Sequence, residues 1–481
     1  MQRAMGEGKR GPVVAAVGIV AAAALVAVFS ILPQSTPYDI WGALFLGPIL
    51  IVITLPMLSR QARREGDRRL FWLLVAALAL KLIGAIARFY VGEEVYGGVA
   101  DATGYHGDGI EISERFRSGI FDTGLDSLTK TDFISFFTGL VYTFIGPSML
   151  AGFMFYSWLA FLGLFLFYRA FTLAIPDGRN RLYACLLFFL PSLLYWPSSI
   201  GKEAWMMLTL GIAAFGAARL FTGRTWNGLA IIALGLWLGG IVRLHLAGMV
   251  ALGLAFAYIV RKPAGDLRRR GVVTRILSLS AVVGLTVVVV FRAEASLRSS
   301  GISTRGGIAR TLTDVAERTS GDPEGGSGSN FQPSVIRSPA RIPAATFTVL
   351  FRPLPHEAHN AQALAASLET LLLLLLCVFR WRWILAAVTS FRRRPYVAMV
   401  LAYTAVFILG FSSFANLGLL TRQRVQLLPF LLVLFCIPPR SRRQSTSDLE
   451  ERTRSRVGSK SIDAWDAPQL GSSVSDAGRG P

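Results

Sequence analysis

The chain has 481 residues, 53% of them hydrophobic and only 16% charged, with a mean hydropathy of +0.51. A soluble chain of that length would divide into about three domains, but an apolar excess of this size excludes a soluble globular protein. The 49 Lys+Arg against 29 Asp+Glu give +20 at pH 7, yet the basic residues form short clusters between apolar runs. That is the pattern of cytoplasmic loops rather than of a nucleic-acid-binding face, so no nucleic-acid partner is expected.

Apolar runs approaching the ~20 residues needed to cross a bilayer predict about twelve helices. They fall at 11–32, 38–58, 70–91, 148–171, 182–200, 204–220, 227–242, 246–260, 271–291, 361–379, 396–414 and 425–437. The expected fold is all-α: a polytopic integral membrane protein with an external region of interfacial helices. It divides into a two-span N-terminal segment (1–69), a membrane-embedded catalytic core (70–440) and a disordered cytoplasmic tail (441–481). The run at 11–32 follows Arg3, Lys9 and Arg10 but is longer than the apolar core of a secretory signal, so it is read as an uncleaved span. Cys185, Cys377 and Cys436 all lie in apolar runs and read as small core residues, not as disulfides or metal ligands.

Loop charge sets the expected orientation. Arg60, Arg63, Arg64, Arg68 and Arg69 place the second loop in the cytoplasm, whereas the acidic loop at 92–147, with Glu93, Glu94, Asp101, Asp108, Glu111 and Glu114, faces outward. The apolar stretch 131–147 is read as re-entrant or interfacial. If it crossed, the later basic clusters Arg268–Arg270, Arg380–Arg382 and Arg392–Arg394 would lie outside. With that assignment both termini are cytoplasmic in a multi-pass cell-membrane protein. The runs at 227–242 and 246–260, with Arg243 and His245 between them, fit either two spans or a bent hairpin. The segment 292–360 is a large external loop whose Gly/Ser/Arg-rich part is expected to be mobile.

Under this topology the polar residues that reach the outer membrane face form a short set. Asp101, Tyr105, His106, Asp108 and Glu111 follow the third span, Lys202 and Glu203 cap a turn, and Arg243 and His245 occupy the next. Arg352, His356, Glu357 and His359 precede the tenth span, and Arg422 and Arg424 the last. Ionisable groups at such depth are costly and usually serve a site. Asp101 is expected to be partly desolvated and so a proton acceptor, a general base for a hydroxyl nucleophile, and residues 109–117 an interfacial helix with Ile110, Ile112 and Phe116 towards lipid. The run Pro191–Glu203 breaks a span and presents Lys202 and Glu203 as an ion pair. Lys202 suits a phosphate, or equally a headgroup anchor beside Trp196. Arg422 and Arg424 read as paired guanidiniums for a lipid-linked phosphate or pyrophosphate, with ordinary headgroup binding as the plain alternative. The segment around Arg352, His356 and Glu357 resembles a lid. Asp101 with Asp108, or His356 with His359, are weak metal signals, and no cofactor is required by the sequence.

These residues give the chain a resemblance to the GT-C class of polytopic glycosyltransferases, which use polyprenyl-phosphate-linked sugars at the extracytoplasmic face. The likeness rests on an external Asp101 after an early span, an interfacial helix behind it and basic residues near later external ends. The family carries its acidic residue in the first external loop and this chain in the second. The resemblance implies Asp101 as base, a polyprenyl-phosphate sugar as donor, a saccharide or lipid acceptor, and membrane lipid as surroundings. The chain is also similar to O-antigen and capsule polymerases, which join lipid-pyrophosphate oligosaccharides. That resemblance implies Arg352, Arg422 and Arg424 on the pyrophosphate and Glu203, Glu357 or His356 as base. A transporter or flippase is the third reading, for which Lys81 and Arg88 in the third span are the relevant charges.

Overall fold

The computed structural model describes residues 38–95, 97–98, 101–261, 272–299, 338–358 and 360–439, together with seven isolated positions between 311 and 336. The described residues up to Ile437 belong to one compact unit. Of the second, Pro438–Pro481, only Pro438 and Pro439 are described. The run at 11–32, the Gly/Ser/Arg-rich part of the external segment, His359 and the tail therefore lie outside the described residues.

Within those residues the chain forms helices and no strand, as the all-α expectation requires. In order they are α1 (Tyr38–Glu65), α2 (Arg68–Tyr90, extended by a π turn), α3 (Asp101–Arg117), α4 (Lys130–Ile145) and α5 (Met149–Ala174). Next come α6 (Asn180–Phe189), α7 (Pro191–Tyr195), α8 (Lys202–Phe221), α9 (Thr225–Val260) and α10 (Val272–Ser299). The last are α11 (Ile342–Phe351), α12 (Ala361–Phe379), α13 (Trp381–Ser390), α14 (Pro395–Phe411), α15 (Leu417–Arg424) and α16 (Leu428–Leu431). Seven of the described helices are long and apolar enough to cross a membrane, or up to nine if α13 with α14 and α15 with the segment from Leu428 to Cys436 each make one bent span.

That count falls short of twelve for three local reasons. The run 11–32 is not described. The run 182–200 is not one helix, because Pro191 has no amide hydrogen to donate and starts the five-residue α7 instead of extending α6. The runs 227–242 and 246–260 share the 36-residue α9, which is broken only at Arg243, where φ −138 and ψ 81 are not helical. Helix α10 also continues through Ser299, so the first turns of the supposed external loop belong to it.

Close backbone contacts set the frame of the site. Alpha-carbon hydrogens, not side chains, line these seams: a Cβ on Gly211 would lie 2.3 Å from the carbonyl oxygen of Gly163, which seats α8 on α5. The first half of α9 runs antiparallel to α8, with Gly228 against Leu220, Gly235 against Ala213 and Gly239 against Thr209. The same register carries on to Arg243 opposite Glu203. The second half of α9 turns to other neighbours. Gly253 meets Met399 and Tyr403, the methyl of Met249 meets Gly410, and Thr286 Oγ1 donates to the carbonyl of Ala251 at 3.2 Å.

The stretch between α6 and α8 is held open by buried polar side chains, which satisfy backbone groups that no water would reach in lipid. Lys81 Nζ donates to the carbonyls of Leu193 (2.6 Å) and Leu194 (3.4 Å), and Glu369 Oε2 accepts from the Ser192 amide at 2.5 Å. Ser157 donates to Ser198 at 3.1 Å, and Ser198 to the Leu194 carbonyl at 2.5 Å. Lys81 is thus a clamp on broken backbone, and Arg88 is held by Tyr195, 2.8 Å from its hydroxyl.

The bundle has two chemically different ends. At one, Arg181 pairs with Asp67 (2.7 Å) and Arg394 with Asp177 (2.6 Å). There Tyr168 and Asn180 donate to Glu65, and the Arg179 amide donates to the carbonyl of Cys436 at 2.9 Å. This end gathers the arginine-rich turn between α1 and α2, the α5–α6 turn and the start of α14. At the other ends of α2, α8 and α14 lie Asp101, Glu203 and Arg422.

Candidate functional site

Helix α3 begins at Asp101 itself, earlier than the predicted 109–117. An aspartate in the first turn is favoured by the unpaired amides and dipole of a helix N-terminus. Gly97 and Gly98, with φ of 63 and 74, turn the chain towards it, and Thr103 Oγ1 donates to the Gly98 carbonyl at 2.6 Å. The buried face of α3, Ala102, Tyr105, Gly109, Ile112 and Ser113, repeats at helical spacing. It packs on α4, where Gly109 and Gly139 let Thr138 and Ile112 approach. Ile112 therefore faces α4 and not lipid, a correction to the amphipathic reading. The hairpin is tied by Asp108, which accepts from Ser135 at 2.6 Å, and by His106, whose Nδ1 is 2.7 Å from the Tyr142 hydroxyl. Asp108 and His106 so serve the hairpin. Helix α4 has 16 residues, is not among the helices long enough to cross, and lays Phe133 and Phe137 on Trp205 with ring centroids 4.9 Å apart.

Four distant parts of the sequence then meet. Arg422 Nη2 lies 2.5 Å from Asp101 Oδ2 and 3.0 Å from Glu203 Oε2, and Arg422 Nε lies 2.8 Å from Glu203 Oε1. Arg243 Nη2 reaches Glu203 Oε1 at 2.6 Å, and its Nη1 donates to Gln423 Oε1 at 2.8 Å. Glu203 is thus gripped by two guanidiniums. Buried charges persist only when paired in this way. Side-chain exposure grades across the cluster: Glu203 3%, Arg243 10%, Arg422 24% and Asp101 34%. The closed end is a fixed ion pair, and the open end presents Asp101 and Arg422 to the surroundings.

Two neighbours complete the rim. Lys202 Nζ donates to Thr131 Oγ1 at 2.8 Å, which fastens α8 to the α4 hairpin. It does not pair with Glu203, contrary to the ion pair read from their adjacency. Adjacent residues at a helix start point about 100° apart, and Glu203 turns inward to the guanidiniums. Tyr105 is buried beside Asp101 and Glu203. Burial first, and then the two negative charges, push its phenol well above the usual tyrosine value, so it stays neutral there. Asp101 is likewise not the lone desolvated acid expected from its position; it is a third exposed and paired with Arg422.

The remaining predicted residues do not join this cluster. Arg424 is 1% exposed, and its Nη1 donates to the carbonyls of Leu350 (3.1 Å) and Arg352 (2.7 Å). Two positions along an α-helix are about 200° apart, so Arg422 and Arg424 leave opposite sides of α15. The paired guanidiniums of the sequence reading are two separate sites. Arg352 binds Glu357 through Nε at 2.8 Å, and Glu357 also accepts from the Leu354 amide at 2.8 Å. Burial works against the Glu357 charge, but Arg352 and that amide outweigh it and hold the carboxyl below the usual range. Glu357 thus makes its bonds within its own turn. His356 is exposed, and exposed His245 has its ring 6.4 Å from that of Phe411. Among the described residues no group of three or more His, Cys, Asp or Glu is placed to hold a metal ion.

Gln423, Thr131 and Glu369 were missed by the sequence reading. For Glu369 the signal was present: it is the single acid in the apolar run Ala361–Phe379, and an acid in a span usually has an assigned partner. The chain matches no family model, no curated protein and no solved structure.

Proposed function

We propose that the chain is a membrane glycosyltransferase that moves a sugar from a polyprenyl-phosphate-linked donor to a cell-envelope acceptor. The observation that carries this reading is the cluster of Asp101, Glu203, Arg243 and Arg422 at the end of the bundle opposite the arginine-rich end. By the positive-inside rule this reading assigns that arginine-rich end to the cytoplasm and the cluster to the extracytoplasmic side, with both termini cytoplasmic if the run 11–32, outside the described residues, is a span.

The chemistry needs a grip on a phosphate and an acceptor for one proton. Arg422 and Lys202 neutralise the donor phosphate. Asp101 takes the proton as the acceptor oxygen bonds to the anomeric carbon, and polyprenyl phosphate departs with the electrons of the broken C–O bond. Glu203 and Arg243 keep Arg422 in position. The pyrophosphate-dependent polymerase reading has less support, because two of its three arginines, Arg352 and Arg424, are engaged elsewhere. The transporter reading has less support because Lys81 is bound to backbone carbonyls.

The test is transfer by the purified, reconstituted protein from tagged polyprenyl-phosphate sugars and from polyprenyl-pyrophosphate oligosaccharides. Activity with the first donors, lost in Asp101→Asn and retained in Glu357→Gln, is the expected result. Full activity in Asp101→Asn, or transfer only from the pyrophosphate donors, ends the reading.

A further inference from the structure

We infer that the Asp101–Arg422 ion pair is an exchangeable latch: a phosphoryl group of a lipid-linked donor takes the place of Asp101 on Arg422, and its arrival frees the Asp101 carboxylate. This rests on the proposed function for the identity of the lipid, but not for the exchange itself.

The bonding of Arg422 is asymmetric in a way that suits exchange. Its Nε and Nη2 both bind Glu203, which is almost fully buried and also held by Arg243. Asp101 shares only Nη2, at 2.5 Å, and sits at the exposed end. Removing Asp101 leaves the guanidinium on its two-point anchor, while removing Glu203 would leave it only the single bond to Asp101. Arg422 Nη1 makes no hydrogen bond among the described residues, so a donor N–H group already stands free beside the shared one. Arg243 differs, because both of its Nη atoms are already engaged, by Gln423 and by Glu203, and it is the more buried of the two arginines.

Charge balance points the same way. Lys202, Arg243 and Arg422 face two carboxylates, Asp101 and Glu203, so the cluster carries one uncompensated positive charge. Lys202 is its source: its bond is to a neutral hydroxyl, and it has no carboxylate within salt-bridge distance among the described residues. A phosphate monoester or diester entering from the exposed side meets Lys202 and Arg422 together, and a tetrahedral phosphate can take two parallel N–H bonds from a guanidinium. An exposed ion pair is weak enough to be replaced; the buried pair behind it is not.

The exchange also has a chemical use. A carboxylate gripped by a guanidinium cannot take a proton without giving up that pair. With the site empty, Asp101 is occupied and water is not activated. When phosphate claims Arg422, Asp101 becomes available beside the sugar that the phosphate carries. Donor binding thereby arms the base.

The experiment uses the full chain in a non-ionic detergent, titrated with a short-chain polyprenyl phosphate, with inorganic phosphate and with phosphatidylglycerol, read by tryptophan fluorescence and by the shift in unfolding temperature. If Asp101 competes with the ligand, Asp101→Asn binds polyprenyl phosphate more tightly than the parent, by roughly two- to fivefold, the size of an exposed ion pair. Lys202→Met and Arg422→Gln weaken it at least about tenfold. Arg422→Lys, which keeps the charge but not the fork, weakens binding while retaining the fold if Arg422→Gln does not. Equal tightening towards inorganic phosphate supports the latch and assigns it to the phosphoryl group alone, and tightening only towards phosphatidylglycerol overturns it in favour of a headgroup site. Unchanged or weaker binding of polyprenyl phosphate by Asp101→Asn also overturns the latch, whatever the parent protein transfers. Conversely, tightening in a protein that transfers no sugar leaves the latch standing and removes the glycosyltransferase reading.

Discussion

Arg422 and Arg424 stand two residues apart on one short helix and do opposite work. Arg422 lies among carboxylates and keeps an N–H group free at the rim. Arg424 is enclosed, binds the last carbonyls of α11 and its connection, and leaves its Nε and Nη2 without hydrogen bonds. Its opposite charge is Glu369, with which it interacts electrostatically, and Glu369 Oε1 is unpartnered too. A guanidinium at a helix C-terminus is well placed for the dipole, so Arg424 is a strut. The contrast teaches that a cation in a membrane bundle is read by its partners: carboxylates and an open side mark a site, backbone carbonyls mark scaffolding.

The largest effect expected from that contrast is on stability. Arg424→Met strands the Leu350 and Arg352 carbonyls and leaves Glu369 without its counter-charge, at a cost of about 3–5 kcal/mol, and Arg424→Met with Glu369→Leu recovers only part of the loss, because the Ser192 amide then loses its acceptor as well. Arg422→Met leaves Glu203 with Arg243 and costs less, about 1–3 kcal/mol. Unfolding midpoints in detergent for the three variants decide it, and equal losses for Arg422→Met and Arg424→Met would erase the distinction.

Activity should show the reverse ranking. Asp101→Asn should change stability by no more than about 1 kcal/mol, because its pair is exposed, yet reduce transfer at least ~100-fold, as loss of a general base does. Steady-state transfer rates beside unfolding curves check both halves of the statement. A smaller step probes the frame. Gly211→Ala puts a methyl carbon 2.3 Å from the Gly163 carbonyl oxygen, forces α8 away from α5, and should cost about 1–3 kcal/mol. Because Glu203 opens α8, donor binding should weaken along with it. Wild-type binding with lowered stability would show that the site tolerates that displacement.

Much of the scaffold was legible because apolar composition alone fixes what lies in lipid: α1, α2, α5, α8 and α12 fall close to their predicted bounds. The separation of Arg422 from Arg424 was also legible in principle, since two positions on any helix diverge by about 200°; it was lost by treating the segment as a rim instead of a helix. The join of Asp101 to Arg422, 321 residues apart in sequence, was not legible. It depends on glycine seams between α5, α8 and α9 whose register carries no local signal. Nor was Lys81 as a backbone clamp, because a lysine in a span announces a polar partner without saying whether that partner is a substrate, an acid or broken backbone.

The smallest effect concerns the α3–α4 hairpin that carries Asp101. His106 is half-buried, and burial lowers its affinity for a proton more than the nearby Asp39 raises it, so its pKa lies below that of a free histidine. The unfolded chain then binds more protons than the folded one below about pH 6.5. The hairpin's stabilisation is therefore complete above that pH and declines as the pH falls below it, and the protonated ring can only donate to the Tyr142 hydroxyl. His106→Gln cannot take up that proton and should flatten the dependence of unfolding temperature between about pH 5 and 7. An unchanged slope in His106→Gln would assign the acid sensitivity to another group and leave Asp101 on a hairpin that does not respond to pH in this range.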